Sequence, residues 1–299
     1  MSEYPVCTGC RAYVRDGLTM NDRDCVEFLQ WSLPRLRMRW QGFRKVRRQV
    51  CKRIDRRLRE LGLADVAAYR MFLETNDAEW ALLDSLCNIT ISRFYRDREV
   101  FRFLEQEVLV ALTEDALARG ESELRCWSIG CASGEEPYTL ALLWDLATGR
   151  RFPSLSLTIL ATDADPATIR RAEQGFYRSG SIVGLPAEWS ARAFSRKGEL
   201  YCIGDEERSR VAFLVQDIRK AAPEDRFHLV LCRNLAFTYF EPALQQEVLD
   251  RISERIFPGG AFVAGMHESL PAGYRGFKPW PGGQGIYRKE VEEGDTVAS

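Results

Sequence analysis

The sequence predicts an α/β fold in which a mostly parallel sheet binds a ligand at the carboxyl ends of its strands. Residues 124–146 read as an apolar strand, a glycine turn and a helix, and residues 157–165 form a second buried-strand pattern that ends in acidic residues. Three further short apolar runs, 211–217, 227–234 and 260–268, are each followed by polar residues. Strands that alternate with helical patterns are typical of βαβ units, in which ligands bind where the strands end.

The composition is that of an ordinary globular chain. Its 299 residues, 45% of them hydrophobic, suffice for one large or two modest domains. No apolar run approaches the ~20 residues that span a bilayer, and the N-terminus lacks the apolar segment of a signal peptide. We therefore expect a cytoplasmic, monomeric protein whose nine cysteines are mostly reduced. Cys7 and Cys10 lack two further ligands at suitable spacing, so no metal site is expected.

Composition and periodicity also divide the chain. A short ribbon should form a hairpin around Gly204 and Asp205, and the helical pattern that begins at Pro242 should close at Pro258–Gly260. The expected segments are a loose extension over 1–21, a helical domain over 22–92, a sheet domain over 93–289 with a small β insertion at 176–210, and a disordered acidic tail over 290–299.

A strongly basic stretch lies in the helical domain. Between Arg35 and Glu60 there are twelve Lys or Arg residues and two acids, a local net charge of about +10. Apolar residues recur there at three- and four-residue steps, which predicts an amphipathic helix with the cations on its outer face. These residues are Phe43, Val46, Val50, Ile54, Leu58 and Leu61. The face is either simply solvated or a docking surface for an acidic partner. Nucleic acid is disfavoured because no aromatic stacking platform is interleaved with the cations.

The glycine turn indicates the kind of ligand. Gly130 and Gly134 allow a sharp turn and a close approach of the backbone, while Glu135 and Glu136 place negative charge at the start of the following helix. Neither GxxxxGK[ST] nor GxGxxG is present at this turn, so a phosphate ligand is disfavoured. A ligand with hydroxyls and a cationic end fits better, and S-adenosylmethionine has a ribose diol, an ammonium and a sulfonium.

Asp163 is the strongest single candidate for a ligand contact. In a right-handed βαβ unit the ends of the two strands lie side by side, so Asp163 should face the ligand held at Gly130 and accept its ribose hydroxyls. The alternative role is to cap the helix that begins near Pro166, but Asp165 is better placed for that role. Asp217 ends a comparable strand.

Several motifs together resemble the chemotaxis receptor methyltransferase (CheR) family, which esterifies glutamate side chains with S-adenosylmethionine. They are ISRFYRD at 91–97, WSIGCASGEEPYTLAL at 127–142, ATDAD at 161–165, AEQGFYR at 172–178, LVLCRNLAFTYF at 229–240 and the PGG before GAFVAG. The resemblance covers roughly residues 40–270. It implies a Rossmann-like class I methyltransferase sheet whose last strand pair is antiparallel, with an N-terminal helical domain and a β-ribbon insertion.

The resemblance also implies roles for individual residues. Arg96 and Tyr239 would be catalytic, positioning groups and transferring no proton. Asn88 could take the place of Thr90, since CNITISRFYRD permits two registers. The residues expected to bind the cofactor are Thr90, Ser92, Arg96, Gly130, Glu136, Asp163, Asp217, Ile218, Cys232 and Arg233.

This chain departs from the family pattern at three places. Asp217 stands where the family often has Asn, Tyr95 stands where it has a second Phe, and one extra residue precedes Tyr239. The stretch from Phe176 to Arg210 is also shorter than in relatives that dock a receptor's tail peptide, so no tether is expected.

Three classes of function are compatible with these patterns. The first is a methyltransferase for glutamates of a chemotaxis-type receptor or related signalling protein, which would be an acidic, helical partner docked around Arg44–Arg59. The second is a methyltransferase for another protein, a small molecule or RNA, and the third is a non-catalytic module that senses S-adenosylmethionine. The [ND]PP[YF] turn of many amino-group methyltransferases is absent, because CRNLAFTYF occupies that place.

Overall fold

A computed structural model describes residues 20–291, which divide into two compact units. One unit contains the described residues up to Ser32 together with Lys45–Asn88, and the other contains Leu33–Arg44 and the described residues from Ile89. The sequence assigned all of 22–92 to the helical domain, whereas the structure places Leu33–Arg44 with the sheet. Cys7, Cys10 and most of the acidic tail lie outside the described residues.

The first unit is helical in the part of the chain described. Its helices are α1 (Asp22–Ser32), α3 (Arg47–Leu61), α4 (Val66–Thr75) and α5 (Asp77–Leu86), whereas α2 (Trp40–Phe43) belongs to the second unit. Val50, Ile54 and Leu58 of α3 are buried, which confirms the predicted amphipathic pattern. The helix starts only at Arg47, so Phe43 and Val46 precede it.

A disulfide joins Cys25 on α1 to Cys51 on α3, with a Cα–Cα distance of 5.9 Å. Nothing in the cysteine spacing indicated this pairing, because it depends on how two helices pack. The remaining described cysteines are reduced and buried, as predicted: Cys87, Cys126, Cys131, Cys202 and Cys232.

The second unit contains a seven-stranded sheet with strand order β6-β2-β1-β7-β8-β10-β9. The strands are β1 (Glu123–Ile129), β2 (Ser156–Asp163), β6 (Val211–Val215), β7 (Phe227–Cys232), β8 (Ile256–Ala264), β9 (Phe277–Pro279) and β10 (Ile286–Lys289). The pairs from β6 to β8 are parallel, and β10 is antiparallel to both β8 and β9. This arrangement confirms the predicted sheet. The carboxyl ends of its parallel strands meet at one edge.

Helices cover both faces of this sheet. Neighbouring residues such as Cys126 and Trp127 enter different apolar clusters because strand side chains alternate between faces. The helices are α6 (Arg98–Phe103), which continues through a π turn into α7 (Leu109–Ala118), then α8 (Glu135–Leu146), α9 (Pro166–Gln174), α10 (Ser179–Ile182), α11 (Ala187–Ala193), α12 (Asp205–Ser209), α13 (Ala236–Tyr239) and α14 (Pro242–Glu254), with 3₁₀ turns at Leu33–Leu36 and Thr148–Arg151.

The insertion contains a three-stranded antiparallel sheet, ordered β3-β5-β4, from β3 (Phe176–Arg178), β4 (Phe194–Lys197) and β5 (Leu200–Ile203). The hairpin predicted around Gly204 and Asp205 is wrong. The chain turns instead at Gly198, which adopts φ 64°, and Gly204 precedes α12. Two glycine turn signals lie close together here, and strand pairing decides between them.

The end of α14 also differs from the prediction. The helix ends at Glu254, and Pro258–Gly260 lie within β8. The pairing of β7 with β8 shifts register between Phe227 and Leu229, an irregularity at which proline is tolerated in a strand.

Candidate active site

The glycine turn after β1 lies at the carboxyl edge of the sheet, as predicted. Gly130 (φ 69°), Ala132 (φ 49°) and Gly134 (φ 90°) all adopt left-handed backbone conformations. The N–H of Gly130 donates to the carbonyl of Thr162 on β2 over 2.8 Å. The left-handed backbone angle favours glycine at Gly130, and a Cβ there would also displace the Leu235 methyl that would lie 2.6 Å away.

Asp163 lies beside this turn at the end of β2. Its Oδ2 accepts from the Ala132 N–H and its Oδ1 from the Asp165 N–H, each over 3.0 Å. Burial raises the pKa of Asp163 despite these two bonds. Each oxygen keeps a second lone pair with which to accept a hydroxyl. Asp165, as expected, caps α9 by accepting from the Ala167 N–H over 2.8 Å.

Arg233 is the centre of an ion-pair network at the end of β7, and 2% of its side chain is exposed. Its Nη1 donates to Glu136 Oε2 over 3.0 Å, and its Nη2 donates to Asp97 Oδ2 over 2.8 Å and to the carbonyl of Arg96 over 3.0 Å. Ser128 donates to Glu136 Oε1 over 2.8 Å. The sequence predicted that Cys232 and Arg233 bind the cofactor. The structure adds a side chain that joins three separate segments.

The segment before Arg96 approaches the start of α8. Burial raises the pKa of Glu135 at the start of α8, and the Ser92 side chain partly opposes that rise. Asn88 belongs to the helical unit and Thr90 to the sheet unit.

Asp217 and Ile218 follow β6. The carboxylate of Asp217 is bound by Arg219, whose Nη2 lies 2.8 Å from Oδ2. Burial raises the pKa of Asp217, but the hydrogen bonds and charge of Arg219 outweigh burial, so the net shift is downward. The Gln216 N–H donates to the carbonyl of Asp163 over 3.0 Å, which brings this segment next to Asp163, and Ile218 is buried.

Tyr239 and Arg96 are the two residues that the resemblance implies to be catalytic. Tyr239 is the last residue of α13 and is half-buried, with its ring centroid 5.0 Å from that of Phe43. Burial raises the pKa of Tyr239, and the positive charge of Arg96 partly opposes that rise. Arg96 is half-buried, and its Nη1 donates to the carbonyl of Ile91 over 2.9 Å.

Two residues that sequence reasoning missed are Asn234 and Glu268. Asn234 follows Arg233 with φ 55°. Glu268 is buried, and its Oε2 accepts from the N–H groups of Asn234 and Gly265 over 2.7 Å each, while its Oε1 accepts from Thr238 over 2.5 Å. No short pattern marks Glu268 in the sequence, because Asn234 and Thr238 are 34 and 30 positions away.

The assembled site suits a ligand that carries positive charge and hydroxyls. Acidic groups line the ends of β1 and β2, and the buried guanidinium of Arg233 is matched by Glu136 and Asp97. Within residues 20–291, no group of three or more His, Cys, Asp or Glu side chains could hold a metal ion. No helix in the same range is both long and apolar enough to cross a membrane.

Comparison with known proteins identifies the family. The description "CheR methyltransferase, SAM binding domain" matches residues 90–284, more than half of the chain. A chemotaxis protein methyltransferase of Listeria innocua is 36% identical over 192 residues, 64% of this chain and 70% of that protein. One from Klebsiella aerogenes is 30% identical over 249 residues, 81% of each chain.

An uncharacterised 104.1 kDa protein of Rhodobacter capsulatus is 34% identical over 223 residues, or 74% of this chain, which spans only 23% of that larger protein. The family match includes both the glycine turn and the loop after β7. The chain therefore belongs to the CheR family and is an S-adenosylmethionine-dependent methyltransferase.

Proposed function

We propose that this methyltransferase esterifies glutamate carboxylates of a chemotaxis-type receptor or a related signalling protein. The observation that carries the proposal is the hydrogen bond from Arg233 to the carbonyl of Arg96, which holds Arg96 at the end of β7, where the loop to Tyr239 begins. A cation at this end of the site would attract and orient a carboxylate acceptor, whereas it would repel a protonated amine. The relatives named chemotaxis protein methyltransferases agree with this choice of acceptor.

The cofactor would lie across the carboxyl ends of β1, β2 and β6. Asp163 would accept its ribose hydroxyls beside Gly130, and Asp217 with Ile218 would border the adenine. Glu136 and Arg96 would hold the methionine part. The remaining contacts would come from Thr90, Ser92, Cys232 and Arg233.

For this reaction the protein has only to position the two reacting groups and to remove water from them. The bound cofactor would supply a methyl group on a positively charged sulfur. The carboxylate oxygen can bond to this methyl carbon directly while the bond from carbon to sulfur breaks. Arg96 and Tyr239 would align the acceptor oxygen with that methyl group, which lowers the entropic part of the barrier. A glutamate, with a reference pKa of about 4.3, is already ionised near pH 7, so no general base is required.

We further propose that α3 provides the docking surface for the acceptor protein. Arg48, Lys52 and Arg56 are exposed at four-residue steps on α3, and Lys45 is exposed just before the helix. We call these four residues the basic stripe. Such a stripe complements an acidic helical partner and would accelerate encounter in low salt. We propose a cytoplasmic monomer that works without a tail-peptide tether.

The chemical nature of the product tests the acceptor class. The protein is incubated with methyl-labelled S-adenosylmethionine and membrane vesicles that contain a chemotaxis receptor, and the labelled protein is then brought to alkaline pH. A carboxyl ester releases its label as methanol, so volatile label in the wild type and its loss in Tyr239→Ala support the proposal. Label that resists alkali indicates an amine or RNA acceptor, and absence of label despite cofactor binding indicates a sensing module.

A further inference from the structure

We infer that Arg39 and Glu268 are positioning residues that hold the loop carrying Tyr239 from two sides. We call Asn234–Tyr239 the acceptor loop and Leu33–Arg44 the strap, and both belong to the sheet unit. The inference rests on the proposed function only in assigning Tyr239 to the acceptor, since the contacts themselves are independent of it.

The acceptor loop has little structure of its own. Its helix, α13, has only four residues, and Asn234, the first residue of the loop, adopts φ 55°. A helix of one turn leaves nearly all its terminal N–H and C=O groups without partners inside the helix and is unstable in isolation. The position of Tyr239 must therefore be fixed by groups outside the loop.

Arg39 of the strap binds three consecutive carbonyls at the end of α13. Its backbone N–H donates to the carbonyl of Tyr239 over 2.8 Å, its Nε donates to that of Thr238 over 3.0 Å, and its Nη2 donates to that of Phe237. A guanidinium at the carboxyl end of a helix also meets the negative end of the helix dipole. One residue thus satisfies the terminal carbonyls that a short helix leaves open.

The strap also lies close against the loop. A Cβ on Gly42 would be 2.3 Å from the carbonyl oxygen of Thr238, so only glycine allows this approach. Met38 forms an isolated antiparallel bridge with Phe240, and the ring of Phe43 packs on Tyr239. These contacts fix the distance between strap and loop.

Glu268 holds the opposite end of the loop. Its Oε2 fixes the Asn234 N–H, and its Oε1 accepts from Thr238, so the same residue Thr238 is held by Glu268 through its hydroxyl and by Arg39 through its carbonyl. Gly265 leaves room for this carboxylate, because a Cβ there would lie 2.7 Å from Glu268 Oε2. Neither residue needs to touch the acceptor to set where Tyr239 lies.

Three substitutions test whether Arg39 and Glu268 hold the acceptor loop in place. Arg39→Ala removes the guanidinium, Thr238→Val removes the hydroxyl that Glu268 binds at nearly equal volume, and Glu268→Gln keeps one oxygen for both N–H groups and an amide for Thr238. Arg150→Ala is the matched control, because Arg150 Nε also donates to a carbonyl, that of Asp145 over 3.1 Å, at the far end of α8.

Hydrogen exchange of the amides in 234–241 is measured together with calorimetric titration of S-adenosylhomocysteine and methylation of receptor vesicles. We expect Arg39→Ala and Thr238→Val to accelerate exchange in this segment by about tenfold or more and to lower kcat, with cofactor affinity within about twofold of the wild type. Glu268→Gln should largely preserve slow exchange, and Arg150→Ala should match the wild type.

The inference is overturned if exchange in 234–241 is unchanged in Arg39→Ala or Thr238→Val. It is also overturned if faster exchange spreads through β7 and β8 with loss of cofactor binding, which would indicate a general role in folding. Failure of the wild type to methylate vesicles would contradict the proposed acceptor. The exchange result alone would then test whether Arg39 and Glu268 hold the acceptor loop.

Discussion

The carboxylate of Asp163 accepts a hydrogen bond from the backbone N–H of Ala132, 3.0 Å away, and thereby ties the end of β2 to the glycine turn after β1. The same turn donates from Gly130 and from Cys131 to the carbonyl of Thr162, so three bonds fix the turn to its neighbouring strand. The backbone conformation that exposes the turn to a ligand is thus built before any ligand binds, which reduces the ordering cost of binding.

Arg233→Met should destabilise both the fold and the site. The side chains of Glu136 and Asp97 are 15% and 19% exposed, and the substitution leaves both carboxylates without their shared cation. Removing one partner from a largely buried pair costs about 3 kcal/mol. Urea unfolding should show that loss, and titration should show weaker binding of S-adenosylhomocysteine.

The matched control for Arg233 is Arg288→Met. Arg288 pairs with Asp115, but their side chains are 46% and 41% exposed. Such a surface pair contributes about 0–1 kcal/mol. Equal losses of stability in the two variants would contradict the account of Arg233.

Reversing charge on the basic stripe should weaken methylation of receptor vesicles. In Lys52→Glu/Arg56→Glu, KM for the vesicle acceptor should rise about tenfold at low salt, and the difference from the wild type should shrink as salt rises. Cofactor affinity should stay unchanged. The control Arg226→Glu/Arg275→Glu makes the same change of charge at exposed positions of the sheet unit. A similar KM in both double variants would support the simpler view that the stripe is only solvated.

His228 should make stability depend on pH. Its Nδ1 accepts from the Arg125 N–H over 3.0 Å, so Nε2 carries the proton and donates to Glu121 Oε2 over 2.5 Å. Burial lowers the pKa of His228, although Glu121 opposes that shift. The unfolded chain, with a histidine pKa of about 6.5, therefore binds this proton more readily than the folded chain.

The stability that neutral His228 contributes is present above pH ~6.5 and is lost as the pH falls below it. The fall in unfolding free energy between pH 7.5 and pH 5.5 should be smaller in His228→Asn, which keeps an acceptor for Arg125 without titrating. An equal fall in both proteins would contradict this role. Burial raises the pKa values of Glu135, Asp163 and Glu268, so these carboxyl groups change stability with pH in the direction opposite to His228. Their contribution is the same in both proteins and cancels in the comparison.

Local patterns predicted much of the site. The strand, glycine turn and helix at 124–146, the acidic end of β2 and the cap at Asp165 depend on residues close together in the chain, so periodicity and turn chemistry sufficed. The order of parallel strands then placed Asp163 beside Gly130.

The remaining features depend on contacts between distant segments. Glu268 meets Thr238 across 30 positions, and Arg39 meets Thr238 across 199 positions, so no short pattern carries either signal. The strap was assigned to the helical domain for the same reason. The turn at Gly198 could not be separated from the signal at Gly204 without knowing which strands pair.

The most direct test of the proposed cofactor site is calorimetric titration of S-adenosylhomocysteine into the wild type, Asp163→Asn and Asp165→Asn. Loss of a charged acceptor costs about 1.5–3 kcal/mol, so Asp163→Asn should bind roughly 10- to 100-fold more weakly. Asp165→Asn keeps a good helix cap and should bind as the wild type does. Undiminished affinity in Asp163→Asn would contradict the account.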